Sequence, residues 1–176
     1  MLKNIIKIML ILFLASICFI KIAKQRETKI IEKYISNQTK YNYLNYEVLE
    51  IPKINLLEKL EKNKNNFSNL DSSLVYYEDL NYNNRIIIFG HSGMGYNTYF
   101  NRLNELKLGN YAYLYYDKYK LYYSLNKIYI VDKYDTSIMY DTVNKKELVL
   151  ITCVKNNKNK RLLLKFGLKT VKIIEK

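Results

Sequence analysis

The 176-residue chain has few of the residues that define several protein classes: one proline, five glycines, one histidine, two cysteines and no tryptophan. So little proline and glycine excludes collagen-like chains and proline-rich or glycine-rich low-complexity chains. Two cysteines exclude a disulfide-dense scaffold, and the length fits one domain with a short appendage. Hydrophobic residues make up 49% and aromatic residues 14%, which excludes a wholly disordered chain.

The charge is unbalanced, with 29 Lys and Arg against 16 Asp and Glu and a net charge of +13. Such a balance is typical of proteins that bind nucleic acid or anionic lipid. The basic residues are scattered along the chain, however, whereas a phosphate-binding surface gathers basic and aromatic residues on one element. The abundance of Lys, Asn, Ile and Tyr also matches AT-rich codon usage. We therefore expect no nucleic-acid partner.

An unbroken apolar run, Ile8–Ile20, lies near the N-terminus, and the 19 residues from 5 to 23 carry charge only at Lys7 and Lys21. That length is sufficient to cross a bilayer, and lysines near the ends can extend to the headgroups. The run lacks the small-x-small cleavage site of a signal peptide. We therefore predict an uncleaved transmembrane anchor over residues 1–24.

Residues 25–45 are predicted to form a helical stalk or linker, since Ile30 and Tyr34 recur on one helical face. Residues 46–176 are predicted to form a folded domain of many short strands with few helices, a pattern typical of a barrel or a sandwich. The predicted strands include RIIIF, YAYLYY, KLYYSLNKIYIV, ELVLITC and RLLLKFG. Residues 59–69 are expected to be a polar loop and the stretch TYFNRLNEL to be helical.

Three residues of this domain are candidates for chemistry: His91, Cys153 and Arg161. Cys18 lies in the apolar run and cannot pair with Cys153, which is then either a small hydrophobe in a strand or a nucleophile. His91 follows RIIIF at a turn, as a surface residue or a proton carrier. Arg161 is either a rim charge or a partner for an oxyanion. We expect no zinc site and no other cofactor, because zinc needs three or four ligands and the domain has one His and one Cys; the sequence leaves a calcium requirement open.

Five stretches follow one another in a distinctive order: LEIPKIN from Leu49, IIIFGHSG with His91, YFNRLNELKLGN from Tyr99, LITC ending at Cys153, and RLLL from Arg161. Together they resemble the sortases, the membrane-anchored cysteine transpeptidase family of Gram-positive bacteria. The resemblance extends from about residue 46 to residue 167. One departure is Val149, which stands where the family signature T-L-x-T-C has its first Thr.

The resemblance implies a mainly β fold, a sortase-like closed β-barrel of about eight strands with short helices, preceded by an N-terminal transmembrane helix. It also implies that Cys153 attacks a Leu-Pro-x-Thr-Gly-like sorting signal of a surface protein and forms a thioacyl-enzyme. An amine of the cell wall, such as that of a peptidoglycan precursor, or of a protein would then accept the acyl group. His91 would transfer protons, and Arg161 would hold the substrate carbonyl or its oxyanion.

The location of the domain is a point on which two indications disagree. Basic residues are more numerous after the apolar run, at residues 21–29, than before it, and the positive-inside rule would then place the domain in the cytoplasm, against anionic lipid. The resemblance implies a single-pass protein of the cell membrane with an extracellular catalytic domain, and we adopt that prediction. The alternative function is a membrane-tethered extracellular binding module, in which Tyr-rich strands form the contact surface and Cys153 is structural.

Overall fold

The computed structural model describes residues 2–40, 46–63, 68–79, 84–140 and 145–174. The chain divides into two compact units, residues 1–39 and residues 40–176. The first unit is helical, and the second contains the β-strands.

The N-terminal helix, α1, runs from Leu2 to Lys40. Its segment Lys7–Ile30 is long and apolar enough to cross a bilayer, and none of that segment is buried against protein. Ser16 donates its hydroxyl to the carbonyl oxygen of Phe13 at 2.7 Å, so this polar group is satisfied within the helix. A helix that is apolar on all sides favours lipid over water. The predicted apolar N-terminal helix is confirmed, and it continues without a break to Lys40.

The second unit is a closed barrel of eight strands in the order β1-β2-β3-β4-β7-β8-β6-β5, which confirms the predicted fold class. The strands are β1 (Val48–Ile51), β2 (Leu56–Lys62), β3 (Leu74–Asp79), β4 (Arg85–Phe89), β5 (Tyr111–Tyr116), β6 (Tyr119–Asp132), β7 (Glu147–Val154) and β8 (Asn157–Ile173). Strands β2 and β3 are parallel, as are β4 and β7, and the other neighbours are antiparallel. Short helical turns lie at Pro52–Ile54, Ser68–Asp71, Leu103–Glu105 and α2 (Ser137–Tyr140).

The strands around β7 are buried on both faces, because successive side chains of a strand point to opposite sides. Leu148 and Leu150 belong to the core inside the barrel. Val149 and Ile151 face the other way and pack in a second group, which we call the outer cluster. The buried members of the outer cluster are Ile87, Ile138, Val149, Ile151 and Leu163. The same alternation continues in β8, where Leu163 joins the outer cluster while Leu164 joins the inner core.

Two local predictions were wrong. The polar loop expected at residues 59–69 is strand as far as Lys62, because Leu60 fills the barrel core while its charged neighbours face outward. The helix expected in TYFNRLNEL is reduced to the turn Leu103–Glu105. Phe100, Leu103 and Leu106 all enter the core, and their spacing of three residues matches a 3-10 turn better than an α-helix.

Candidate active site

His91 and Cys153 follow two parallel strands that are in register. Phe89 of β4 pairs with Ile151 of β7, and each candidate residue lies two positions further along its chain. Side chains two apart on a strand share a face, so Cys153 lies on the outer face of the barrel, beyond Ile151. Because the two strands run in the same direction and pair in register from their first residues, the topology brings the two candidates to the same end of the sheet.

Three hydrogen bonds connect the chain around His91 to the chain around Cys153. The backbone N–H of Gly90 donates to the carbonyl of Ile151 at 3.2 Å. The hydroxyl of Thr152 donates to the carbonyl of Gly90 at 2.8 Å, and the hydroxyl of Ser92 donates to the carbonyl of Cys153 at 2.7 Å. These bonds continue the β4–β7 pairing past the end of β4. The residue on each side of His91 is therefore bonded to the end of β7.

Arg161 lies directly across from Cys153 in the antiparallel β7–β8 pair. Residues opposite each other in such a pair share a face, and their Cβ atoms are about 4.5–5.5 Å apart. The polar stretch between them is mostly strand, and only Lys155 and Asn156 form the turn. Asn156 has a φ of 63°, a left-handed conformation that Asn tolerates well. The hairpin thus fixes the register of Cys153 and Arg161.

The guanidinium of Arg161 is held by the hairpin itself. Its Nη1 donates to the carbonyls of Lys158 and Lys160 at 2.9 and 3.1 Å. The side chain is only partly buried. These two bonds orient the planar group.

His91 has a carboxylate neighbour that the sequence analysis did not identify. Its Nε2 lies 3.2 Å from Oδ1 of Asp71, and the two side chains are 39% and 95% exposed. Asp71 ends the helical turn that precedes β3. The amide of Asn97 donates to the backbone carbonyl of Asp71 at 2.8 Å, which ties this turn to the loop after His91. No sequence pattern links Asp71 with His91, because the two residues are 20 positions apart on different elements.

The loop after His91 is held in place by its own hydrogen bonds. Asn101 accepts from the N–H of Gly93 at 2.6 Å and donates to the Gly93 carbonyl at 3.0 Å. The N–H of Phe100 donates to the carbonyl of His91 at 3.0 Å. Gly93 has a φ of +133°, a conformation that a residue with a Cβ rarely adopts. Gly93 therefore allows the backbone to make this turn.

Thr152 and Ser92 are further site residues that the sequence analysis missed, although each one adjoins a candidate in the sequence. Thr152 is only 3% exposed, and its buried hydroxyl is satisfied by the hydrogen bond to the Gly90 carbonyl. Val149, the departure from the T-L-x-T-C signature, is fully buried in the outer cluster. A methyl group in place of a hydroxyl is compatible with that apolar environment.

The two cysteines of the chain are in different environments. Cys18 is exposed on α1, whereas Cys153 is partly buried, and neither forms a disulfide. Across the described residues, no three His, Cys, Asp or Glu side chains come together as a metal site.

Comparison with known proteins bears on this arrangement. The sequence model of the Sortase domain matches residues 49–166, about two thirds of the chain. The chain belongs to the sortase family. Sortase D of Bacillus subtilis (strain 168) is 35% identical over 109 residues, which cover 60% of this chain and 52% of that protein. The match therefore spans about half the length of this curated sortase.

Solved sortase structures have the same fold. Sortase C-3 from Streptococcus pneumoniae has a TM-score of 0.65 at 20% identity, and the match covers 85% of this chain and 84% of that one. Sortase A from Listeria monocytogenes has a TM-score of 0.64 at 19% identity, covering 74% of this chain and 91% of that one. The predicted sortase-like barrel is thereby confirmed.

Proposed function

We propose that this member of the sortase family is a cysteine transpeptidase with Cys153 as its nucleophile. The observation that carries the proposal is the set of hydrogen bonds from Gly90 and Ser92 to the end of β7, together with the pairing of Cys153 and Arg161. They bring the one histidine of the chain, the one cysteine of the barrel and an arginine to one end of one sheet.

The proposed reaction has two acyl-transfer steps. The Cys153 thiolate attacks the carbonyl carbon of a Thr-Gly-like peptide bond in a sorting signal, which forms an S–C bond and an oxyanion. When the oxyanion collapses, the C–N bond breaks and the His91 imidazolium gives its proton to the departing amine. An incoming amine then attacks the thioester, loses a proton to His91 and releases the thiolate.

The contact with Asp71 supports different roles for the two ring nitrogens of His91. If Nε2 donates its proton to Oδ1 of Asp71, then Nδ1 is the nitrogen that exchanges protons with the amines. Because Asp71 is almost fully exposed, water screens this interaction and its effect on the rate is modest.

Arg161 is proposed to stabilise the oxyanion. In the described part of the chain both hydrogen bonds of its guanidinium come from Nη1, which leaves Nε and Nη2 for a substrate oxygen. Two N–H groups on one rigid plane can bind an oxyanion without reorganising. Its cross-strand position opposite Cys153 supports this role.

The proposed substrates are surface proteins with a Leu-Pro-x-Thr-Gly-like sorting signal, and the acceptor is a cell-wall or protein amine such as that of a peptidoglycan precursor. We further propose that the apolar segment of α1 anchors the protein in the cell membrane as a single pass, with the catalytic domain outside. These assignments rest on membership of the sortase family and on the length of the apolar helix.

The test is incubation with a library of sorting peptides and an amine acceptor, followed by mass spectrometry of the intact protein. We expect an acyl adduct on Cys153 and an amine-capped peptide product. Cys153→Ala should abolish both, whereas Cys18→Ala, which removes the other thiol, should leave both unchanged. Transfer by Cys153→Ala at the wild-type rate would overturn the assignment. A Cys153 thiol that resists alkylation in the folded protein would instead support the binding-module alternative.

A further inference from the structure

A charged side chain is buried at the opposite end of the sheet from the candidate active site. Arg85, the first residue of β4, is only 1% exposed. Its Nε and Nη2 donate to Oε2 of Glu147 at 3.3 and 3.1 Å, and its Nη1 donates to the backbone carbonyl of Ile138. Burying a guanidinium is costly unless each of its donors finds a partner. The three bonds give each of the three guanidinium nitrogens a partner and connect three separate parts of the chain.

Ile138 belongs to the segment 133–140, which we call the crossing segment. It leaves β6 after Asp132, which pairs with Lys160 next to Arg161, and the N–H of Lys133 donates to the carbonyl of Asn159 at 2.8 Å. The crossing segment therefore starts at the end of the sheet that holds Cys153 and Arg161. At Ile138 the segment contacts the side chain of Arg85. Arg85 is the first residue of β4 and lies six positions before His91 in the sequence.

The crossing segment also packs on the sheet between these two ends. The side chain of Ile138 is 5% exposed and belongs to the outer cluster with Val149, Ile151 and Leu163. Ile151 is two residues before Cys153, and Leu163 is two residues after Arg161, on the same face. Through Ile138 the segment therefore covers part of the apolar surface that leads to the candidate active site.

We propose that Arg85 is a positioning residue for substrate binding. By holding the Ile138 carbonyl, it keeps the crossing segment against the outer cluster, so that a bound peptide meets a fixed wall beside Cys153. This role rests on the proposed function. Only a guanidinium can fill this positioning role, because its separate nitrogens donate to Glu147 and to the Ile138 carbonyl at the same time. A lysine ammonium donates from a single point.

The experiment compares Arg85→Lys with Arg102→Lys as a matched control. Arg102 also joins a carboxylate, Glu105, and a backbone carbonyl, that of Ile54, but it lies outside the crossing segment. In Arg85→Lys we expect KM for the sorting peptide to rise about tenfold with kcat within about twofold, because one charge-assisted hydrogen bond is worth roughly that factor. Hydrogen exchange of the amides in residues 133–140 should speed up at least about tenfold for the same reason.

A second variant keeps the proposal testable if Arg85→Lys does not fold. Ile138→Ala leaves Arg85 and the barrel intact but removes the side chain that packs the crossing segment on the sheet. It should raise KM and speed exchange in residues 133–140 in the same way, while Arg102→Lys should change neither.

The two readouts separate this proposal from the proposed function. Unchanged exchange in residues 133–140 would overturn the anchoring role, and so would faster exchange with an unchanged KM. If wild-type protein transfers none of the sorting peptides, the proposed function fails, and the exchange data alone then decide whether Arg85 holds the segment.

Discussion

The hydrogen bond between Thr152 and Gly90 offers a sharp test of how the candidate active site is held together. The Thr152 hydroxyl is buried and donates to the Gly90 carbonyl at 2.8 Å, one residue before His91. In Thr152→Val the side chain keeps its shape and its preference for strands, but this hydrogen bond is lost. The substitution therefore weakens the connection between β7 and the residue that precedes His91.

The expected effects on stability and on activity differ in size. A buried polar group that loses its partner costs about 1–3 kcal/mol of unfolding free energy, which lowers the Tm of a domain of this size by roughly 3–15 °C. A misplacement of about 1 Å between reacting groups can cost about 100-fold in rate. We therefore expect kcat/KM for peptide transfer to fall by about 10- to 100-fold at a temperature where the variant is fully folded.

The assay measures initial rates of transfer to an amine acceptor, with the Tm of each variant measured in parallel. Thr170→Val is the matched control, because Thr170 is exposed on β8; both its Tm and its kcat/KM should stay close to the wild-type values. If Thr152→Val loses several degrees of Tm but keeps kcat/KM within about twofold, the hydrogen bond serves only the fold, and the reasoning about the active site is refuted.

Three further outcomes are expected. Arg161→Lys should lower kcat/KM about 100-fold, because the ammonium keeps the charge but loses the planar fork; a loss below about threefold would contradict the oxyanion role. Asp71→Asn should slow transfer by less than about fivefold, since exposed ion pairs are weak, and the difference should vanish at about 1 M salt; a larger, salt-independent loss would refute this account. Burial, followed by the charges of Glu47 and Glu78, raises the pKa of Tyr76 to about 12. The folded state therefore holds the Tyr76 proton more tightly than the unfolded state does. The contribution of Tyr76 to the free energy of unfolding is fully present below about pH 10 and is lost as the pH approaches 12. Urea titrations at pH 8, 10 and 11 should show that the free energy of unfolding falls less steeply with pH in Tyr76→Phe than in the wild type. An equal pH dependence of the unfolding free energy in the two proteins would contradict the assignment.

Three residues of the candidate active site could be proposed from the sequence because they carry local signals. His91 lies two residues after an apolar strand, and Cys153 lies at the end of another predicted strand. Because the chain has only one His and two Cys, these two residues were conspicuous candidates for chemistry. The partners of these residues could not be found in this way. Asp71 reaches His91 from an element 20 residues earlier, and nothing in its neighbourhood marks it as a partner of a histidine.

Arg85 shows the limit of sequence patterns most clearly. At the start of RIIIF it resembles any charge at the end of a strand. Its burial depends on Glu147, 62 residues later, and on the carbonyl of Ile138, and a backbone carbonyl leaves no trace in a sequence. The failed loop prediction at residues 59–62 has a related cause, because a strand whose exposed face is charged carries little apolar signal.

The sequence by itself determined the apolar N-terminal helix, the strands with strong periodicity, and the residues able to act as nucleophile, proton carrier and cation, because each of these depends on side chains close together in the chain. Only the tertiary structure decided which strands pair, that the hairpin sets Cys153 opposite Arg161, and that Thr152 and Ser92 bond the chain on either side of His91 to the end of β7. The two side-chain hydrogen bonds join positions 61 and 62 residues apart, and the energy of such contacts comes from barrel closure and hydrogen bonding, which no local pattern encodes.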